Sequence, residues 1–266
     1  MTSQFDDETA LTRTGENRFT GQVHDAWNIG ANPNGGYLLA IALTALRQAV
    51  PSQPDPLSVT VHYLRPGTPN APCDVVIDLI KTGRSVSTAR ATVSQAGKSR
   101  FEVMASLGKI EATPAKSTAE LNPERPDIPP PGDCIIRDGA GQGVTLAIMN
   151  RLDIRLNPAH AQPGQGPAEI SGWVRFKDGR LPDSKSCALF ADAFPPAVFG
   201  LLGLVGWVPT VQLTVHVRRQ PSPGWIQASF RTNDLNGSLM IEDGCLWDEK
   251  GQLIAQSRQL AMLLTQ

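Results

Sequence analysis

The chain repeats itself, and the repeat constrains its fold more than any other feature of the sequence. Thr60-Val61-His62 in "LSVTVHYLRP" reappears as Thr214-Val215-His216 in "VQLTVHVRRQ", an offset of 154 residues. Arg65 and Arg219 keep that offset, and so do Gly97 and Gly251 in the turns "QAGKS" and "EKGQL". An offset that survives through a downstream turn points to duplication of a whole structural unit. A chain of 266 residues has room for two such units, each with its own core. Between them, "ATPAKSTAELNPERPDIPPPGD" carries six prolines from Pro114 to Pro131. Proline has no backbone N–H and resists helix and central-strand pairing. The expected organisation is therefore a unit over 1–112, a linker over 113–133 and a second unit over 134–266.

The halves share a coarse order. Strand segments come first: "RFTGQVH" in one half, "VTLAIMNRLDIRL" and "AEISGWVRF" in the other. A helix follows, "GGYLLAIALTALRQAV" from Gly35 and "SKSCALFADAF" from Ser184, and then a run of strands. Leu57, Val59, Val61 and Tyr63 alternate with Ser58, Thr60 and His62, the two-residue period of a strand with one buried face. The first helix is apolar nearly all round from Tyr37 to Leu46. A surface helix would show a polar stripe, so this one should be surrounded, most simply by a curved antiparallel sheet. A helix wrapped by such a sheet, duplicated, describes a tandem hot-dog architecture of the α+β class.

Composition narrows the partners. The formal net charge of −1 gives no reason to expect nucleic acid or an anionic membrane surface. The start, "MTSQFDDETA", lacks the basic and apolar regions of a signal peptide. The longest apolar run, Ala197 to Val208, is too short to span a bilayer. Its two readings are a cover for an apolar ligand chain, or plain core and oligomer contact. Cys73, Cys134, Cys187 and Cys245 form no C-x-x-C pair, which fits reduced thiols in a cytoplasmic protein. The four histidines have no metal-ligand spacing. Neither a G-x-S-x-G elbow nor a P-loop is present.

One acid stands out. Asp192 lies in "CALFADAFPP", flanked by Leu189, Phe190, Ala193 and Phe194. A buried carboxylate needs donors or takes up a proton, and perturbed carboxylates in clefts are candidate general bases. The first-half helix carries no acid, so the repeat does not need one there. Applying the offset to Phe101, Val103, Ala105 and Leu107 gives Ala255, Ser257, Gln259 and Ala261. A face that is apolar in one repeat therefore carries a glutamine in the other, unless the register is off by one. Thr210 opens a strand, where threonine is common for steric reasons alone. In "GANPNGGY", Asn34 can be an ordinary N-cap; alternatively the Gly35 and Gly36 amides can polarise a carbonyl as an oxyanion hole.

With these residues in place, the chain resembles the double hot-dog acyl-CoA thioesterases of the thioesterase II family. The resemblance extends over most of the chain in element order and duplication, and is most specific in "LFADAF", "WVPTVQLTVHVR" and "LIAQSRQLAMLL". It implies hydrolysis of acyl-CoA thioesters to free acid and coenzyme A. Asp192, Thr210 and Gln259 would act together on a water, without a metal or other cofactor. It also implies a place in lipid metabolism, with a homo-oligomer as one arrangement open to the fold. Lys81, Arg84, Arg218 and Arg219 could meet the phosphates of coenzyme A or simply be solvated strand ends. Two alternatives remain open: a hot-dog enoyl-CoA hydratase or dehydratase, which would release no thiol, and a non-catalytic acyl-CoA-binding protein.

Overall fold

The computed structural model describes residues 3–111, 121–139 and 144–264. In chain order the strands are β1 (Leu11–Gly15), β2 (Arg18–Val23), the short β3 (Asn28–Ile29) and β4 (Asn32–Pro33), β5 (Asp55–Tyr63), β6 (Ala71–Lys81), β7 (Ser87–Gln95) and β8 (Lys98–Gly108). The second half contributes β9 (Ile135–Ile136), β10 (Leu152–Leu156), β11 (Glu169–Phe176), β12 (Thr210–Val217), β13 (Ile226–Asn236), β14 (Leu239–Trp247) and β15 (Leu253–Met262). The α-helices are α1 (Gln4–Glu8), α2 (Gly35–Ala49), α3 (Ser186–Phe190) and α4 (Val198–Leu202).

Thirteen strands form one antiparallel sheet in the order β1-β2-β6-β7-β8-β5-β12-β15-β14-β13-β11-β10-β9. Strands of the first half occupy one flank and strands of the second half the other. The halves meet where β5 pairs with β12. There Thr60 is the register partner of Thr214, Val59 of Val215 and Val61 of Leu213. Thr60 and Thr214, related by the 154-residue offset, thus face each other on a local two-fold, which exchanges the pair Val59/Val215 with the pair Leu213/Val61. The two threonine hydroxyls lie 2.9 Å apart on it. The same offset carries the β5–β8 pairs Val59/Ala105 and Val61/Val103 onto the β12–β15 pairs Leu213/Gln259 and Val215/Ser257. Gly97 and Gly251 both adopt positive φ, +70° and +77°, a conformation that favours glycine in a tight turn. His62 and His216 are both exposed.

Helix α2 is buried as its composition requires: Tyr37 to Leu43, Ala45 and Leu46 are at most 4% exposed. It packs on β5, β6, β7 and α3. Burying each large apolar side chain contributes about 1.5–3 kcal/mol, so the sheet supplies far more to this helix than its intrinsic propensity does. Its start is fixed by Asn34, whose Oδ1 accepts from the Tyr37 amide at 2.9 Å.

The second helix departs from expectation. It covers Ser186–Phe190 rather than the longer stretch from Ser184, so Asp192 follows the helix instead of lying on it. The chain leaves in tight turns, with the Asp192 amide donating to the Leu189 carbonyl at 3.1 Å, and Pro195-Pro196 prevents any continuation.

Of the Pro-rich segment, residues 113–120 lie outside the described residues. Residues 121–130 form no helix or strand and bind the second half. The Pro126 carbonyl accepts from Gln227 Nε2 at 2.7 Å, and the Pro129 carbonyl from Trp173 Nε1 at 2.8 Å. No helix among the described residues is long and apolar enough to cross a membrane.

Candidate active site

The short α3 crosses the start of α2 closely. A Cβ on Gly36 would lie 2.8 Å from the Ala188 carbonyl oxygen and 2.9 Å from Leu189 Cα, so only glycine allows the approach. The crossing delivers Asp192 to the N-terminus of α2, across the junction of the two halves. Asp192 Oδ2 accepts from the Gly36 amide at 2.8 Å and from Asn34 Nδ2 at 2.9 Å. Asn34 Nδ2 also donates to the Asp192 carbonyl at 2.7 Å. A helix N-terminus favours an anion. Burial opposes it and dominates, pushing the Asp192 carboxyl up to about 6, against the lowering effect of Gly36, Asn34, Gly35 and Thr210.

Of the two readings of this segment, the Asn34 cap is present, and the glycine amides face an acid of the chain itself. The Gly36 amide is spent on the Asp192 carboxylate, and Gly35 also faces that carboxylate. The cause is the helix crossing, which brings the acid onto the start of α2.

The other two expected residues adjoin Asp192. Thr210 is the first residue of β12, at the end of a central strand rather than at a sheet edge. Its Oγ1 donates to Gln259 Oε1 at 3.3 Å and is also within reach of Asp192. Gln259 faces inward and is 9% exposed. Its Nε2 donates to Glu242 Oε1 at 3.3 Å, while Glu242 Oε2 accepts from the Ala197 amide at 2.7 Å. Burial pushes the Glu242 carboxyl up to about 7, aided by the charge of Asp192 and opposed chiefly by the Ala197 hydrogen bond.

Glu242 was not anticipated. It pairs with Gln259 between β14 and β15 where the first half pairs Ala89 with Ala105 between β7 and β8. Its signal was present in the alternation Met240, Glu242, Gly244, Leu246, whose members are all buried. The 154-residue offset hides it, because the relation here is 153 and Asp243 falls opposite Ala89 instead.

Arg137 was missed as well, and nothing in the sequence marks it. It is 4% exposed, and its Nη1 donates to the Ala193 carbonyl beside Asp192. Its Nε is buried without a partner. Burial lowers the guanidinium to about 10 and Asp192 opposes the shift, so Arg137 remains a cation at neutral pH.

Asp192, Thr210, Gln259, Glu242, Arg137, Gly35 and Tyr63 line one cavity of about 620 Å³. Much of the remaining wall is apolar, including Leu38, Phe194, Phe199, Leu204, Trp207 and Phe230. Several of these belong to the Ala197–Val208 run, which therefore lines the cavity as well as packing into the core. Lys81, Arg84, Arg218 and Arg219 do not line it, whereas the exposed Arg65 does. Among the described residues no cluster of three or more His, Cys, Asp or Glu could hold a metal ion.

The arrangement is a partly buried acid with a hydroxyl and an amide beside it, in an apolar cavity wide enough for an organic chain. Comparison with known proteins gives it a family. Residues 23–108 match the acyl-CoA thioesterase N-terminal domain, and residues 123–263 match the acyl-CoA thioesterase C-terminal domain. A thioesterase II structure from Thermobifida fusca is 28% identical, with 98% of each chain covered and a TM-score of 0.86. A hot-dog-fold protein from Alicyclobacillus acidocaldarius is 26% identical, with 100% of each chain covered and a TM-score of 0.87. An uncharacterised protein of Mycobacterium tuberculosis is 28% identical over 93% of this chain and 91% of its own length. The fold is the hot-dog fold, and the chain belongs to the acyl-CoA thioesterase family, whose members are thioester hydrolases.

Proposed function

We propose that the protein is a tandem hot-dog hydrolase of acyl-CoA thioesters, with Asp192 as the general base. Each half supplies one hot-dog unit, with its helix against its own flank of the sheet, and the working site lies where the units meet. The observation that carries this reading is the Asp192 carboxylate: half-buried, raised toward neutrality, and lining an apolar cavity beside Thr210 and Gln259.

In the reaction, a water held by Asp192, Thr210 and Gln259 gives a proton to the Asp192 carboxylate as its oxygen bonds to the thioester carbonyl carbon. The tetrahedral oxyanion collapses, the C–S bond breaks, and the sulfur leaves as a thiolate that takes the proton back from Asp192. The products are a carboxylic acid and coenzyme A, and the carboxylate is regenerated. No serine or cysteine is acylated, and no resident metal or cofactor is invoked. Glu242 holds the Gln259 amide so that its oxygen faces Thr210, and Arg137 ties down the turn carrying Asp192 through the Ala193 carbonyl. The apolar wall receives the acyl chain, while Arg65 at the rim is placed to meet a phosphate of coenzyme A.

The test is a panel of acyl-CoAs of varied chain length, followed by release of free thiol. Turnover of at least one chain length supports the reading. No thiol release at high enzyme concentration would sink it, and hydration of an enoyl-CoA without thiol release would replace it with the hydratase alternative.

A further inference from the structure

The first half places one more polar group in the cavity. Tyr63 ends β5, and its ring packs against Phe101 with centroids 5.9 Å apart. Its hydroxyl is buried with no hydrogen-bond partner among the described residues. The chain's other tyrosine behaves ordinarily: Tyr37 Oη donates to the Glu8 carbonyl at 2.7 Å and accepts from the His24 amide at 3.0 Å. An orphan hydroxyl in a cavity wall is unusual, because buried polar groups are nearly always satisfied. Burial, together with the charge of Asp192, holds the Tyr63 phenol well above its usual range. It therefore remains an O–H donor across the working pH range.

Its position is specific. A Cβ on Gly35 would lie 2.9 Å from the Tyr63 hydroxyl and 3.0 Å from Asp192 Oδ2. The donor and the base thus flank the same bare stretch of backbone, and a side chain at position 35 would close the gap between them. The helix-start amide that could otherwise bind a carbonyl oxygen is already committed to Asp192.

We propose that Tyr63 is a catalytic residue whose hydroxyl donates to the thioester carbonyl oxygen as it becomes an oxyanion. The proposal rests on Asp192 acting as the base. The charges then succeed one another without clashing. Asp192 is neutralised by the proton of the attacking water as negative charge appears on the carbonyl oxygen, and the Tyr63 hydroxyl meets that charge. No group among the described residues depends on the hydroxyl, so it contributes to rate rather than to stability.

The experiment is Tyr63→Phe, which removes only the hydroxyl. The expected result is a kcat lower by roughly 100-fold, the effect of removing one oxyanion donor, with KM changed by less than about threefold and Tm unchanged or higher. Affinity for a hydrated trifluoromethyl ketone analogue of the acyl-CoA should fall in proportion to kcat/KM. Affinity for an acyl-CoA thioether, which lacks the carbonyl oxygen, should hold. Wild-type kcat in Tyr63→Phe overturns the proposal, as does an equal loss of affinity for both analogues. Asp192→Asn, assayed alongside, separates the two levels. If that variant remains active, the base assignment fails and takes this proposal with it. If it is inactive while Tyr63→Phe is fully active, only the role of Tyr63 falls.

Discussion

The two ends of the crossed helix pair make the most informative comparison in the molecule. An acid from the opposite half stands at or near the start of each helix. Asp192 reaches the start of α2, and Asp55, the first residue of β5, reaches Ser184 just ahead of α3. Asp55 is buried and Asp192 half-buried, and their surroundings differ. Asp55 Oδ1 accepts from Ser184 Oγ at 2.6 Å and from Gln220 Nε2 at 2.8 Å, and its Oδ2 accepts from the Ile110 amide at 2.8 Å. Asp183, Arg47 and Arg180 close that end with ion pairs. Asp192 instead opens onto the cavity, beside groups with hydrogen-bonding capacity to spare. The same sheet and crossed helices thus carry one acid enclosed by hydrogen bonds and ion pairs and one that opens onto a cavity.

Replacing each acid should give opposite results, and this is the largest expected contrast. Asp192→Asn should lower kcat by about 100- to 10,000-fold, the usual share of a general base. It should also stabilise the protein at pH 8. The folded carboxyl titrates near 6, above the unfolded value of about 4. Ionisation therefore destabilises the folded state progressively as pH rises from about 4 through 6, by about 2–3 kcal/mol at the plateau. Asp55→Ala should do the reverse. It strands several buried partners, for a loss of about 2–4 kcal/mol, while the kcat of the folded fraction is kept. Thermal unfolding and steady-state kinetics on the two variants check both claims. If both variants lose stability and keep activity, the distinction between the ends is wrong.

The second contrast lies between equivalent strand pairs, Ala89/Ala105 in the first half and Glu242/Gln259 in the second. Glu242→Gln allows the new amide to donate to Gln259 Oε1 and turn that group over. We expect kcat to fall by about tenfold with little change in Tm. The pH profile should also change. Wild-type kcat should rise with pH as Asp192 ionises near 6 and again as Glu242 ionises near 7, because a protonated Glu242 can donate where it must accept. The charged groups around Glu242 are Asp192, Arg137 across the cavity and the exposed Asp243, which is paired with Arg258. Glu242→Gln should retain only the limb near 6. An unchanged two-limb profile would remove Glu242 from the mechanism.

The smallest expected effect is at the local two-fold itself. Thr60→Val together with Thr214→Val removes both partners of one half-buried hydrogen bond, and with it the acceptor of the half-buried Gln212 Nε2, which can turn to solvent instead. It should change stability by less than about 1 kcal/mol and leave kcat alone. A large loss would mean that the junction depends on that bond rather than on strand pairing.

Much of the frame was legible in the sequence because it rests on periodicity. The Thr-Val-His repeat proved to be the pairing of β5 with β12, and the alternation in β8 transferred to β15 with Gln259 facing inward. What stayed hidden depends on long-range geometry. Nothing in "CIIRDGAG" shows that Arg137 will be buried against the Asp192 turn. No local pattern says that the Tyr63 hydroxyl will lack a partner, since its equivalent in the second half is Val217 and both suit a strand. The sequence leaves two readings open for the Gly35-Gly36 segment because it cannot show that α3 crosses there. Glu242 lay within reach of strand alternation, but a rigid offset concealed it behind a one-residue slip.

In the proposed reaction water attacks the thioester directly, with Asp192 as base. A single turnover in ¹⁸O-labelled water, with enzyme in excess over acyl-CoA, tests this most directly. The account predicts one ¹⁸O atom in the carboxylic acid formed and none in the peptide containing Asp192. An unlabelled acid on the first turnover, with ¹⁸O in the Asp192 carboxyl, would show that the carboxylate itself attacks the thioester and would contradict it.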